Sequence, residues 1–170
     1  EIDEIIKMII SARKNKKTIF TMGNGGSGST ASHFVSDLQK TVIVKNENRI
    51  KAISLVDNIP VILAWSNDVS FDKIFEEQLK NQVEKNDIVI AFSGSGKSKN
   101  IINALKIAKK MGAKCIGFTG KTGGSFNAIC DITFKVPSND MLTIESQHVT
   151  ICHCIASTIR SLGKPMFEYD

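Results

Sequence analysis

No apolar stretch in this 170-residue chain approaches 18 residues, which excludes a membrane-spanning helix. The four cysteines, Cys115, Cys130, Cys152 and Cys154, form no CxxC pair. Cys152 and Cys154 flank His153, a hint of a metal tract, but cysteine is also a common small core residue. The acidic start, Glu1 to Glu4, has no signal-peptide pattern and no initiator Met. A cytoplasmic protein with reduced thiols is therefore expected, with residues missing upstream. Aromatics are sparse, with one Trp (Trp65), one Tyr (Tyr169) and nine Phe. They do not interleave with the basic clusters at Arg13, Lys14, Lys16 and Lys17 or at Lys106, Lys109, Lys110 and Lys114, as a nucleic-acid stacking surface requires. The net charge of +5 reads instead as solvated helix faces and ends. No nucleic-acid or membrane partner is expected. Linkers, low-complexity tracts and repeats are also lacking, so residues 1–170 read as a single domain.

What is present is an alternation of strand-like and helix-like segments. Helices are expected over residues 3–14, 29–41, 71–83, 98–111 and 143–162, with Pro60 able to start another. Strands are expected over 18–22, 51–56, 87–92, 115–119 and 132–136. Several strands are continuous apolar runs, the pattern of a parallel sheet buried on both faces. The fold class is α/β: a doubly wound, five-stranded parallel sheet flanked by helices. Ligands of such sheets bind beyond the strand carboxyl ends, near a topological switch point.

Two glycine–serine loops fall at such ends. Gly23-Asn24-Gly25-Gly26-Ser27-Gly28 follows the first strand, and Ser93-Gly94-Ser95-Gly96-Lys97-Ser98 follows the third. A strand-to-helix turn of this kind presents backbone N–H groups at a helix N-terminus and suits a phosphate. Residues 91–98 nearly match the nucleotide-binding P-loop, with Lys97 and Ser98 in place. Ala91 stands where the first Gly belongs, however, and the one strand ending in Asp, residues 52–57, has no other support as its partner. The alternative uses side chains: Ser93, Ser95 and Ser98 can ring the phosphate of a small phosphomonoester.

His33 and Asp37 are four residues apart on the helix after the first loop, a spacing that can clamp one metal ion. The last helix carries Glu145, His148 and His153. Glu145 and His153 lie about 12 Å apart along a continuous helix, too far to share one ion easily. Either the helix begins after Glu145, or the site combines subunits, or only one of the two is a ligand.

Taken together, the first loop with His33 and Asp37, Ser66-Asn67-Asp68, the Ser93–Ser98 loop, Phe118 to Gly124, and Ile144-Glu145 with His148 and His153 resemble the sugar-isomerase (SIS) domain family. Within it the likeness is to the phosphoheptose isomerases. The resemblance implies an aldose–ketose isomerase converting sedoheptulose 7-phosphate to D-glycero-D-manno-heptose 7-phosphate. The product would feed bacterial lipopolysaccharide, capsule or S-layer glycans. It further implies a homotetramer with active sites between subunits, and one more N-terminal helix than is seen here. Asn24, Gly25, Gly26, Ser27, Asn67, Asp68 and Glu145 would contact the sugar, and Ser93, Gly94, Ser95 and Ser98 the phosphate. His33, Asp37, Glu145 and His153 would surround a Zn²⁺ ion. Asp37 or Glu145 would be the base, and His153 the acid or proton shuttle.

Four positions depart from the family pattern. Asp37 replaces the usual Glu, Glu145 the usual Gln, Gly94 a Thr and Lys97 an Asn. The shorter carboxylate at Asp37 could be offset if Glu145 takes over as base. Two rival readings are a non-catalytic sugar-phosphate sensor or adaptor of the same family, and a P-loop nucleotide hydrolase.

Overall fold

A computed structural model describes residues 1–168. Five strands, β1 (Thr18–Gly23), β2 (Lys51–Ser54), β3 (Ile88–Phe92), β4 (Lys114–Thr119) and β5 (Ile132–Lys135), form one sheet of order β2-β1-β3-β4-β5. Every pairing is parallel. Seven α-helices connect and flank the strands: α1 (Ile2–Lys14), α2 (Gly26–Ser36), α3 (Ile59–Asp68), α4 (Glu76–Gln82), α5 (Lys99–Lys110), α6 (Phe126–Ile129) and α7 (Met141–Ser161). None is long and apolar enough to cross a membrane. Tyr169 lies outside the described residues.

The two-residue period of a strand explains the layers. Along β3, Ile88, Ile90 and Phe92 enter a core with α1, α2 and α7. Val89 and Ala91 enter a second core with α4, α5 and α6. Apolar residues at both parities therefore give β3 its unbroken hydrophobic run. The edge strand β2 has only half its residues buried. The order reverses between β1 and β3, whose following helices, α2 and α5, cover opposite faces. Both glycine–serine loops open into the crevice this creates.

Several boundaries differ from the sequence expectation. The helix expected over 29–41 starts earlier, at Gly26, and passes at Asp37–Thr41 into a π-helical turn. The segment 71–83 breaks into a 3₁₀ turn, Phe71–Lys73, and α4. The short α6 follows the glycine-rich turn after β4 and has no counterpart among the expected helices. Helix α7 begins at Met141, capped by Asp140, whose Oδ2 accepts from the Thr143 amide at 2.8 Å and its hydroxyl at 2.7 Å. The possibility that this helix starts after Glu145 is thus removed.

The inner face of α7 is held by His148, which is fully buried. Its ring lies 6.0 Å from that of Phe92 and 5.8 Å from that of Phe118, while Phe92 and Phe118 stack at 4.9 Å. Its Nε2 lies 3.4 Å from the Thr119 carbonyl. Burial pulls the His148 pKa below its ordinary 6.5, with the carbonyl contact opposing weakly. The folded state therefore keeps this imidazole neutral where an unfolded chain would protonate it. The unfolded state binds more protons as pH falls below 6.5, so stability drops with pH from there down to the depressed folded value. Denaturant midpoints at pH 5 and pH 8 should differ in the native protein, and the gap should narrow in His148→Leu.

Candidate active site

Each loop is shaped by what must pass close to it. The first loop turns at Gly25 (φ 54°) and launches α2 at Gly26. A Cβ on Gly26 would overlap the Glu145 carboxylate, so the glycine lets α7 bring that group against the loop. Glu145 Oε1 then lies 3.5 Å from Ser27 Oγ. In the second loop, a Cβ on Gly94 would overlap the Met141 thioether. Met141 thus fills the space that a Thr in this position would claim.

The second loop is a ring of hydroxyls. Ser93 Oγ and Ser98 Oγ are 3.3 Å apart, and the Lys97 amide donates to Ser95 Oγ at 3.2 Å. Ser98 precedes α5 without capping it through its side chain, so the helix N-terminus opens beside the ring. The glycine turn after β4 buttresses this ring: Gly120 N donates to Gly94 O at 2.9 Å and Ser125 N to Gly96 O at 2.9 Å.

The two loops are tied across the crevice by a reciprocal amide pair. Asn24 Nδ2 donates to Asn100 Oδ1 at 3.0 Å, and Asn100 Nδ2 donates to Asn24 Oδ1 at 2.8 Å. Asn100 is only 2% exposed, and its Oδ1 also accepts the Ile101 amide. Asn24 thus spends its side chain on the neighbouring loop. Between the loops lies a cavity of about 220 Å³, lined by Asn24, Ser27, Ser93, Gly94, Ser95 and Ser98, with Phe92, Met141 and Glu145. Gly26 and Glu145 also line the adjoining pocket that contains His33.

Beyond Glu145, three further residues converge. His33 Nε2 and His153 Nε2 are 2.7 Å apart, and Asp37 Oδ2 is 3.5 Å from the first and 3.7 Å from the second. Asp37 Oδ2 is buried and has no hydrogen-bond partner among the described residues. The donor atoms of His33, Asp37 and His153 form a group able to hold a metal ion. Glu145 is outside that group. It sits two turns earlier on the continuous α7, as the 1.5 Å rise per residue requires. Asn67 and Asp68 end α3 on the surface, bonded to each other at 2.8 Å, and do not line the serine cavity.

Residues 1–120 match the SIS domain family. A phosphoheptose isomerase of Aliarcobacter butzleri is 38% identical over 159 residues, covering 93% of this chain and 83% of the relative. One from Campylobacter concisus is 36% identical over 154 residues, covering 90% and 80%. The chain is a member of the phosphoheptose isomerases of the SIS domain family. Solved structures agree. The phosphoheptose isomerase from Francisella tularensis superposes with a TM-score of 0.88 at 31% identity, covering 94% of this chain and 85% of that one. GmhA from Neisseria gonorrhoeae gives 0.86 at 27%, with the same coverage.

A phosphoheptose isomerase has no use for a nucleotide-hydrolase P-loop, and the geometry offers none. Strand β2 ends at Ser54, and Asp57 lies exposed beyond it, away from the serine cavity. Lys97 is exposed. Cys152 points into the core, where burial pushes its thiol pKa up, while Cys154 is exposed. Neither joins His153 in the metal-capable group.

Asn100 and Met141 shape the cavity although the sequence does not mark them. Asn100 stands two residues after Ser98, in the first turn of a ligand-facing helix. That spacing is the available signal. Met141 had none, because its role follows from a missing Cβ on a distant strand end.

Two substitutions probe this construction. In Asn100→Ala the Asn24 amide and the Ile101 N–H lose their partners, so unfolding free energy should fall by about 1–3 kcal/mol, read by urea denaturation. Gly26→Ala should fold with an unchanged melting temperature, because the group its Cβ meets is the end of a flexible side chain. It should still lower isomerase kcat/KM by about 100-fold through displacement of Glu145.

Proposed function

We propose that the chain interconverts sedoheptulose 7-phosphate and D-glycero-D-manno-heptose 7-phosphate. The observation that carries the reading is the position of Glu145. Its carboxylate lines both the serine-ringed cavity and the pocket leading to His33, between a phosphate cup and a histidine–carboxylate cluster.

The phosphate end would be held by Ser93, Ser95 and Ser98 with the first amides of α5. Binding energy at this remote end positions the reacting carbons. Gly25, Gly26 and Ser27 would line the sugar. Glu145 would remove the proton alpha to the carbonyl, taking over as base because Asp37 turns its free oxygen to the histidines instead. His153 would serve as the acid or proton shuttle toward the neighbouring carbon.

The His33, Asp37 and His153 donors suit zinc, since two imidazoles and a carboxylate form a common catalytic set. The orphaned Asp37 oxygen is the feature that a cation would satisfy. The chemistry a zinc ion supplies when bound there is polarisation of the sugar carbonyl. Glu145 would complete the set only from a second subunit.

A homotetramer with sites between subunits is supported by α3. None of its residues is buried, and Ile59 and Leu63 are 61% and 62% exposed. Neighbouring exposed apolar side chains on one helix would suit a subunit contact. Asn67 and Asp68, at the end of the same helix, would then reach a neighbouring subunit's sugar. A cytoplasmic enzyme supplying heptose precursors for lipopolysaccharide or capsule fits this reading.

The test follows aldose formation from sedoheptulose 7-phosphate by purified protein. Turnover should vanish with a chelator and return with zinc. Ser98→Ala should act mainly on KM, and Glu145→Gln should lower kcat by about 10²–10⁴-fold. Failure of the zinc-loaded protein to turn over this or other ketose phosphates would reject the isomerase reading.

A further inference from the structure

Asp37 divides its two oxygens between two neighbours. Oδ1 accepts a hydrogen bond from Thr41 Oγ1 at 2.9 Å, while the buried Oδ2 faces the two histidine nitrogens. A threonine in a regular helix commonly bonds the carbonyl four residues back. Here the Asp37 carbonyl accepts instead from the Val42 amide, five residues on, at 3.1 Å. The Thr41 hydroxyl goes to the carboxylate. Single π-turns are rare and frequently fall at functional sites. The same turn is fastened to α7, the helix that carries His153, by Arg160 Nη1 donating to the Thr41 carbonyl at 3.3 Å.

A short carboxylate has little reach, so its aim matters more than that of a glutamate. Free rotation would let Asp37 present either oxygen, or neither, to the histidines. We propose that Thr41 is a positioning residue for the metal centre, its hydroxyl holding Asp37 Oδ1 and thereby aiming Oδ2 at His33 and His153. The inference rests on the zinc reading given above. It assigns the π-turn a purpose: it brings a hydroxyl to the one ligand that is shorter than its family counterpart. Partners that orient a metal-ligating carboxylate typically contribute 10–100-fold to metal affinity.

The experiment measures zinc affinity of the metal-free full chain by competition with a chromophoric chelator. Thr41→Val keeps the shape and removes the hydroxyl, and Thr41→Ser restores it. Thr41→Val should bind zinc about 10–100-fold more weakly than the native chain, and Thr41→Ser should bind close to native. If the valine variant does not fold, Thr41→Ala takes its place in the same comparison. The melting temperature of the metal-free proteins separates a packing role, which would move stability and leave zinc affinity alone. Native-like zinc affinity in the hydroxyl-free variant would overturn the proposal while leaving the zinc reading intact. A native chain that takes up no zinc would overturn both.

Discussion

The site depends on one pair of side chains, Asn24 and Asn100. Strands β1 and β3 are neighbours, but the helices that follow them leave on opposite faces of the sheet. The two ligand loops therefore diverge by construction. The Asn24–Asn100 pair closes the gap with two hydrogen bonds between planar groups. With Asn100 buried and Asn24 half-buried, the pair is costly to separate, because each amide leaves an unpaired partner. Ser27 on one loop and the serines of the other are thus held at one spacing, and the cavity between them has a defined width.

Helix α7 supplies the second constraint. His148 presses its inner face against Phe92, the last residue of β3, and Phe118, one residue before the end of β4. The same rigid helix carries Glu145 and His153 two turns apart, so they serve different places. One carboxylate, Glu145, meets the cavity. The other, Asp37, meets the histidines from α2. A division of labour between two carboxylates that neither residue could decide alone is imposed by helical rise.

Much of this was readable in the residues. The unbroken apolar run at 88–92 announced a buried parallel strand, and the glycine–serine turns announced where ligands would sit. His33 and Asp37 shared a face by spacing alone. The rest depended on contacts between distant segments. The Asn24–Asn100 pair joins residues 76 positions apart, and no local pattern marks it. The π-turn at Asp37–Thr41 is a tertiary choice, since its residues have unremarkable helix propensity. Because α7 runs unbroken from Met141, one of the three arrangements for Glu145 and His153 is excluded.

The parallel order of the sheet has a kinetic side. Residues Ile19 and Ile88 pair directly, yet 69 positions of chain separate them, and every other pairing also spans a crossover. Such topologies close long loops before any contact rewards them, and they assemble slowly. Neither half of the ligand crevice exists until β1 and β3 have met. A phosphorylated sugar thus has nothing to grip on a half-assembled chain. Its affinity belongs wholly to the finished sheet, so substrate in the cell acts as a thermodynamic witness of completed folding and shifts the balance toward it by mass action.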